Sequence, residues 1–89
     1  MGYAAVTVTT SATLIVAANP QRLSLIIANN DSSVALYIGQ DTSITTSNGI
    51  PVAAGSNLTE DSGGTKVYCG PIYGIAGSSI NVRYWERTR

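Results

Sequence analysis

The chain has 89 residues, five basic and five acidic, with a formal net charge of zero, no histidine and one cysteine. Those counts leave no Ser-His catalytic pair, no histidine-bound metal and no internal disulfide framework. With only 11% charged residues, against about a quarter in ordinary domains, the chain also lacks the basic surface that steers a protein onto nucleic acid.

One domain is expected at this length. A domain this small buries only about 60–65% of the surface its unfolded chain exposes. Since disulfide and histidine–metal staples are missing, oligomerisation or docking on a larger assembly is the expected source of extra stability. No apolar run approaches the ~20 residues that span a bilayer; the longest, Leu14 to Ala18, is strand-sized. The N-terminus shows neither the basic stretch nor the apolar core of an export signal.

In chain order, residues 1–5 are read as a flexible or partner-docking arm carrying Tyr3. Ala4 to Thr10 alternates Val6 and Val8 with Thr7 and Thr9, a period-two pattern rich in β-branched residues, hence a strand. Thr13 to Ala17 is the next, with Leu14 and Val16 expected on one face and Ile15 on the other. Pro20 removes a backbone donor and holds Asn19 extended, so pairing pauses there.

Residues 20–39 form the most buried-looking stretch. Leu23, Leu25 and Ile27 alternate with Ser24, Ile26 and Ala28; Asn29 to Ser32 are turn formers; Leu36 and Ile38 then alternate with Ala35 and Tyr37. The pattern predicts two strands joined as a hairpin. A short strand is expected at Ser43 to Thr46, then a turn at Asn48-Gly49 with Gly49 at positive φ. Ile50-Pro51-Val52 is expected at a sheet edge, because Pro51 cannot donate to a neighbour. Asn57 to Thr59 is another short strand with Leu58 inward, and Glu60 to Thr65 is expected as a flexible loop.

Lys66 to Cys69 is expected to begin a strand that resumes at Ile72 to Ala76, with Gly74 marking a bulge or close backbone approach. Gly77-Ser78-Ser79 is expected as a hairpin turn. The last strand, Ile80 to Glu86, puts Ile80, Val82 and Tyr84 on one face and Asn81, Arg83 and Trp85 on the other. No window carries the spacing of an amphipathic helix. Turn signals every 8–12 residues give the expected class: all-β, a small antiparallel sandwich or barrel of about 7–8 short strands in one domain spanning residues 1–89.

No catalytic, cofactor-binding or metal-binding residues are expected. Cys69 has no basic neighbour to make it a thiolate and is read as a small buried apolar residue. The acidic pair Glu60-Asp61 lacks an apolar wall to separate two pKa values, and it offers too few oxygens for calcium. The candidate partner-binding residues are Tyr3, Arg83 and Trp85, an exposed tryptophan beside an arginine being a good anchor for a protein. Carbohydrate binding is the alternative use of the aromatic residues, and it requires two of them exposed side by side.

Asn19-Pro20-x-Arg22-x-x-Leu25, Asn29 and Leu36-Tyr37-Ile38-Gly39 open a longer pattern. It continues through Ile44-Thr45-Thr46-x-Asn48-Gly49-Ile50-Pro51-Val52-x-x-Gly55, Val67-Tyr68, Tyr73-Gly74-Ile75-Ala76 and Ile80-Asn81-Val82-Arg83. In these residues the chain resembles small β proteins from the structural-gene regions of tailed bacteriophages and prophages. The resemblance implies a virion component made in the bacterial cytoplasm: a capsid decoration or cement protein, or a tail, neck or fibre part. It also implies the major capsid protein or other virion proteins as partners, with no nucleic acid, membrane or cofactor. Self-association, with a trimer favoured, is expected to cover second strand faces such as those of Ile15 and Ile26. The matching positions are turns and core, so the resemblance carries no functional residue.

Overall fold

The computed structural model describes residues 2–61 and 67–88. Eight strands form: β1 (Gly2–Val8), β2 (Thr13–Val16), β3 (Arg22–Asn29), β4 (Leu36–Gly39), β5 (Ile50–Val52), β6 (Asn57–Asp61), β7 (Ile72–Ala76) and β8 (Ile80–Thr88). They build two four-stranded antiparallel sheets, ordered β1-β8-β3-β6 and β2-β7-β4-β5. The first is sheet A and the second sheet B. The fold is the expected all-β sandwich.

Its topology is more specific. β1 pairs with β8, β2 with β7, β3 with β6 and β4 with β5, while β3–β8 and β4–β7 contacts complete the two sheets. The chain is one long hairpin rolled into two layers, which is the eight-stranded jelly roll. Of the seven connections, the one between β4 and β5 alone stays within a sheet; the others pass from one sheet to the other.

This corrects two expected hairpins. β3 and β4 lie in different sheets, as do β7 and β8. Polar turn residues reverse the chain in both cases, but between layers rather than beside the same strand. At the first crossing Asn29 is the hinge. Its buried side-chain amide donates to the carbonyls of Val34 (2.9 Å) and Val52 (3.1 Å), and its Oδ1 accepts from the Asp31 amide at 3.1 Å. The backbone of Asn29 meanwhile exchanges bonds with Ser56 and Gly55. Inter-layer passage thus satisfies groups that a hairpin would have paired along the strand.

The core comprises Val8, Ile15, Val16, Leu25, Ile27, Leu36, Ile38, Val52, Ile72, Ala76, Ile80 and Val82. β3 and β8 alternate as expected over Leu25–Ile27 and Ile80–Val82. On β2 a register shift between Leu14 and Val16 turns both Ile15 and Val16 inward and leaves Leu14 exposed, so Leu14 and Val16 do not share a face as expected. The face of Ile15 is therefore core, not a surface awaiting a second copy.

Further departures are local. Residues 43–46 form turns, not a strand, and Ile44 folds back against Gly39. Gly49 does not adopt positive φ; among the described residues Gly55 alone does, at 77°. Gly49 is required instead because an added Cβ would lie 2.7 Å from that of Tyr37. Glu60 and Asp61 close β6 rather than opening a loop, and Ser62–Thr65, the rest of that expected loop, lie outside the described residues. Val67–Cys69 are irregular rather than a strand, and Lys66 is likewise outside the described residues. β5 is an edge strand and Gly74 meets side chains closely, both as expected.

Candidate functional site

Antiparallel pairing places directly opposed residues on the same face of a sheet. On sheet A, Tyr3 opposes Trp85, Ala5 opposes Arg83, Ile26 opposes Trp85 and Ala28 opposes Arg83. Tyr3, Ile26, Ala28, Arg83 and Trp85, with Tyr84, line a shallow groove on the outer face of sheet A. Tyr3 is 80% exposed and Trp85 45%. The three candidate partner-binding residues, Tyr3, Arg83 and Trp85, thus come together across two adjacent strands.

Residues 2–5, read from sequence as part of an arm, pair with Glu86 to Arg83 and make the first half of β1. That pairing is what fixes Tyr3 beside Trp85. Ile26 and Ala28 complete the floor of the groove. Their membership depends on the β3–β8 register, which strand alternation alone does not supply. Arg83 is exposed, its Nε donating to Asn81 Oδ1 at 3.2 Å. The groove is an apolar strip with one cation on its border.

A second hollow, of about 280 Å³, lies between the sheets and is lined chiefly by Leu25, Ile27, Ile38, Leu58, Tyr68 and Ile72. Its polar fringe includes Glu60, whose carboxylate accepts from the Tyr68 amide at 3.4 Å. Among the described residues no set of polar groups converges on it.

At one end of the sandwich Arg22 is buried with every nitrogen engaged. Nε donates to Glu86 Oε2 (2.6 Å), Nη1 to the carbonyls of Tyr68 (2.7 Å) and Gly70 (3.1 Å), and Nη2 to that of Ala17 (2.9 Å). Asn19 reinforces the cluster, donating from Nδ2 to Glu86 Oε1 and from its backbone to the Cys69 carbonyl. Cys69 is half-buried, its thiol directed at the carbonyls of Val67 and Arg22. The Asn19-Pro20-x-Arg22 pattern is therefore a structural clamp joining the end of β2, the entry to β7, and β8. Among the described residues no three His, Cys, Asp or Glu side chains gather as a metal site.

Comparison with protein-family models, curated proteins and solved structures finds no match for this chain. Its class is set by its own geometry: a small jelly-roll sandwich presenting an aromatic groove on the open face of one sheet.

Proposed function

We propose that this chain is a non-enzymatic structural protein of a tailed-phage particle, a decoration protein that docks through the outer face of sheet A onto the assembled head and stabilises it. The observation that carries the reading is the junction of Tyr3, Trp85, Ile26 and Arg83 in one exposed groove. Tyrosine, tryptophan and arginine dominate the energetics of protein interfaces. A sheet face is stiff, so little conformational entropy is lost on docking. The rest of the reading rests on the resemblance of the sequence pattern to small phage structural proteins, since a jelly roll by itself fixes no function. A lattice presenting many copies of one binding surface turns a weak contact into firm attachment when the decorating unit holds more than one copy.

The test is co-sedimentation of the purified chain with heads of the phage or prophage that encodes it. The chain is expected to pellet with assembled heads and not with unassembled capsid subunits. Trp85→Ala is expected to weaken attachment roughly 30-fold, the effect of losing an interface anchor. Pelleting with tails instead would assign the chain to the tail, neck or fibre. Attachment unaffected by Trp85→Ala and Tyr3→Ala would remove the groove from the interface.

One observation favours a second reading, a carbohydrate-binding attachment module: Tyr3 and Trp85 are exposed side by side, the arrangement that stacking on sugar rings requires. Trp85 is the only tryptophan, so its fluorescence reports directly. A titration with host surface polysaccharide that shifts this emission, in a chain that ignores heads, would favour this reading.

A further inference from the structure

The sandwich has four edge strands: β1 and β6 in sheet A, β2 and β5 in sheet B. An open edge offers unpaired backbone donors and acceptors to any other strand, and proteins block such edges with short strands, bulges, prolines or charges. Three of the four are blocked here. β5 has three residues with Pro51 at its centre. β2 has four and carries the register shift between Leu14 and Val16. β6 ends in Glu60-Asp61, with the Glu60 carboxylate turned toward the Tyr68 amide.

β1 carries none of these devices. It is seven residues long, Gly-Tyr-Ala-Ala-Val-Thr-Val, without proline or charge, and its register against β8 is unbroken from Gly2 to Val8. Tyr3, Ala4 and Ala5 are exposed although they project to alternate faces, so this half of the strand is uncovered on both sides.

We propose that β1 is a self-association edge, on which a second copy of this chain pairs β1 to β1 antiparallel about a two-fold axis. The chemistry of the strand selects that occupant. An uncharged strand opposes itself without repulsion, net charge is zero, and the small side chains of Gly2, Ala4 and Ala5 keep neighbouring backbones accessible. Val8 is fully buried, so the accessible edge runs from Tyr3 to Thr7, and the register that pairs it centres on Ala5 and sets Tyr3 opposite Thr7 of the second copy. It supplies a backbone ladder about 17 Å long, in an isologous contact that closes at two copies. The two sheets A then join into one eight-stranded sheet, and both aromatic grooves face the same way. The pairing rests on the edge alone and stands whether or not the grooves bind a virion.

The test is the charge swap at the two-fold axis. Wild type, Ala5→Lys and Ala5→Glu are compared by sedimentation equilibrium over a concentration series, with circular dichroism confirming that each folds. Wild type is expected to dimerise. Each variant alone places like charges opposite one another; Ala5→Lys is expected to weaken the dimer roughly fivefold and Ala5→Glu less, because Arg83 lies opposite Ala5 on β8, while an equimolar mixture of the two recovers association. Hydrogen exchange gives a readout independent of substitution: β1 amides are expected to gain protection as wild-type concentration rises. A monomer at every concentration, a trimer, or a dimer indifferent to both charges would overturn the proposal. So would β1 protection that appears only with heads, which would mean a strand from another protein fills the edge.

Discussion

Arg22 and Glu86 form a buried ion pair, Nε to Oε2 at 2.6 Å, between residues 64 apart in sequence. Removing one partner of such a pair leaves the other charged and desolvated, typically at a cost of about 3–5 kcal/mol. Here three backbone carbonyls would lose their donor as well. A domain of this size has roughly 4–13 kcal/mol of total stability. Arg22→Ala is therefore expected to be unfolded or nearly so. Arg22→Lys is expected to recover only part of the loss, because one ammonium cannot reproduce the planar fork. Adding Glu86→Leu to Arg22→Ala is expected to regain stability by removing the stranded carboxylate. Urea unfolding of the three variants measures this; Arg22→Lys at wild-type stability would show that the fork geometry is unimportant.

Asn29 is 2% exposed, and its side chain holds the first inter-sheet crossing through the Val34 and Val52 carbonyls. Asn29→Ala is expected to lose about 2 kcal/mol, the cost of leaving buried acceptors unpaired. Asn29→Asp keeps the shape but replaces a donor with an anion facing two carbonyls, and is expected to be worse at neutral pH. Thermal melts rank the two, and equal losses would argue that the missing donor sets the cost and the added charge does not.

The strands were legible in the sequence; their partners were not. Alternation in Leu25–Ile27 and in Ile80–Trp85 reports which side chains face inward, because side-chain period is a property of one strand. Asn29-Asn30-Asp31-Ser32 and Gly77-Ser78-Ser79 report that the chain reverses, yet a reversal within a sheet and one between layers use the same residues. The choice is made by distant pairing, β3 with β8 and β6. The bulge in β2 is hidden for a similar reason: Leu14, Ile15 and Val16 are all apolar, so the pattern cannot show which two face inward. In the groove, Tyr3, Arg83 and Trp85 were legible as exposed candidates, whereas Ile26 and Ala28 joined them through the β3–β8 register. Arg22 stood out only as part of the Asn19-Pro20-x-Arg22 pattern, and its burial follows from carbonyls of Ala17, Tyr68 and Gly70 and the carboxylate of Glu86, most of them contributed far along the chain.

Gly74 faces the core opposite Thr13 on β2. An added Cβ would come within 2.6 Å of Ile15 Cδ1 and 2.9 Å of Leu36 Cδ1. Both neighbours belong to the close-packed core. Gly74→Ala is expected to cost about 1–3 kcal/mol through overpacking. Because the clash involves a δ-methyl, pairing it with Ile15→Val is expected to recover part of the loss, despite the smaller side chain. A double variant less stable than the sum of the two single losses would place the strain elsewhere, as a thermodynamic cycle would reveal.

Asp31 links loop order to pH. Its Oδ2 accepts from the amides of Ser33 (2.9 Å) and Val34 (2.7 Å), and these bonds hold its carboxyl below the ordinary 3.8. Asp41 is lowered too, first by the Ser43 hydroxyl and then by the Ser43 amide. A carboxyl with a lowered folded-state pKa favours folding above its unfolded value, and that contribution disappears as pH falls through the folded value. The affected window therefore opens near 3.8 and extends downward. Wild type is expected to lose stability there. Asp31→Ala, lacking the caps already, is expected to be less stable at neutral pH and to lose less on acidification. Urea midpoints from neutral pH to about pH 2 should bring the two curves together; curves that stay parallel would show that Asp31 contributes nothing through its charge.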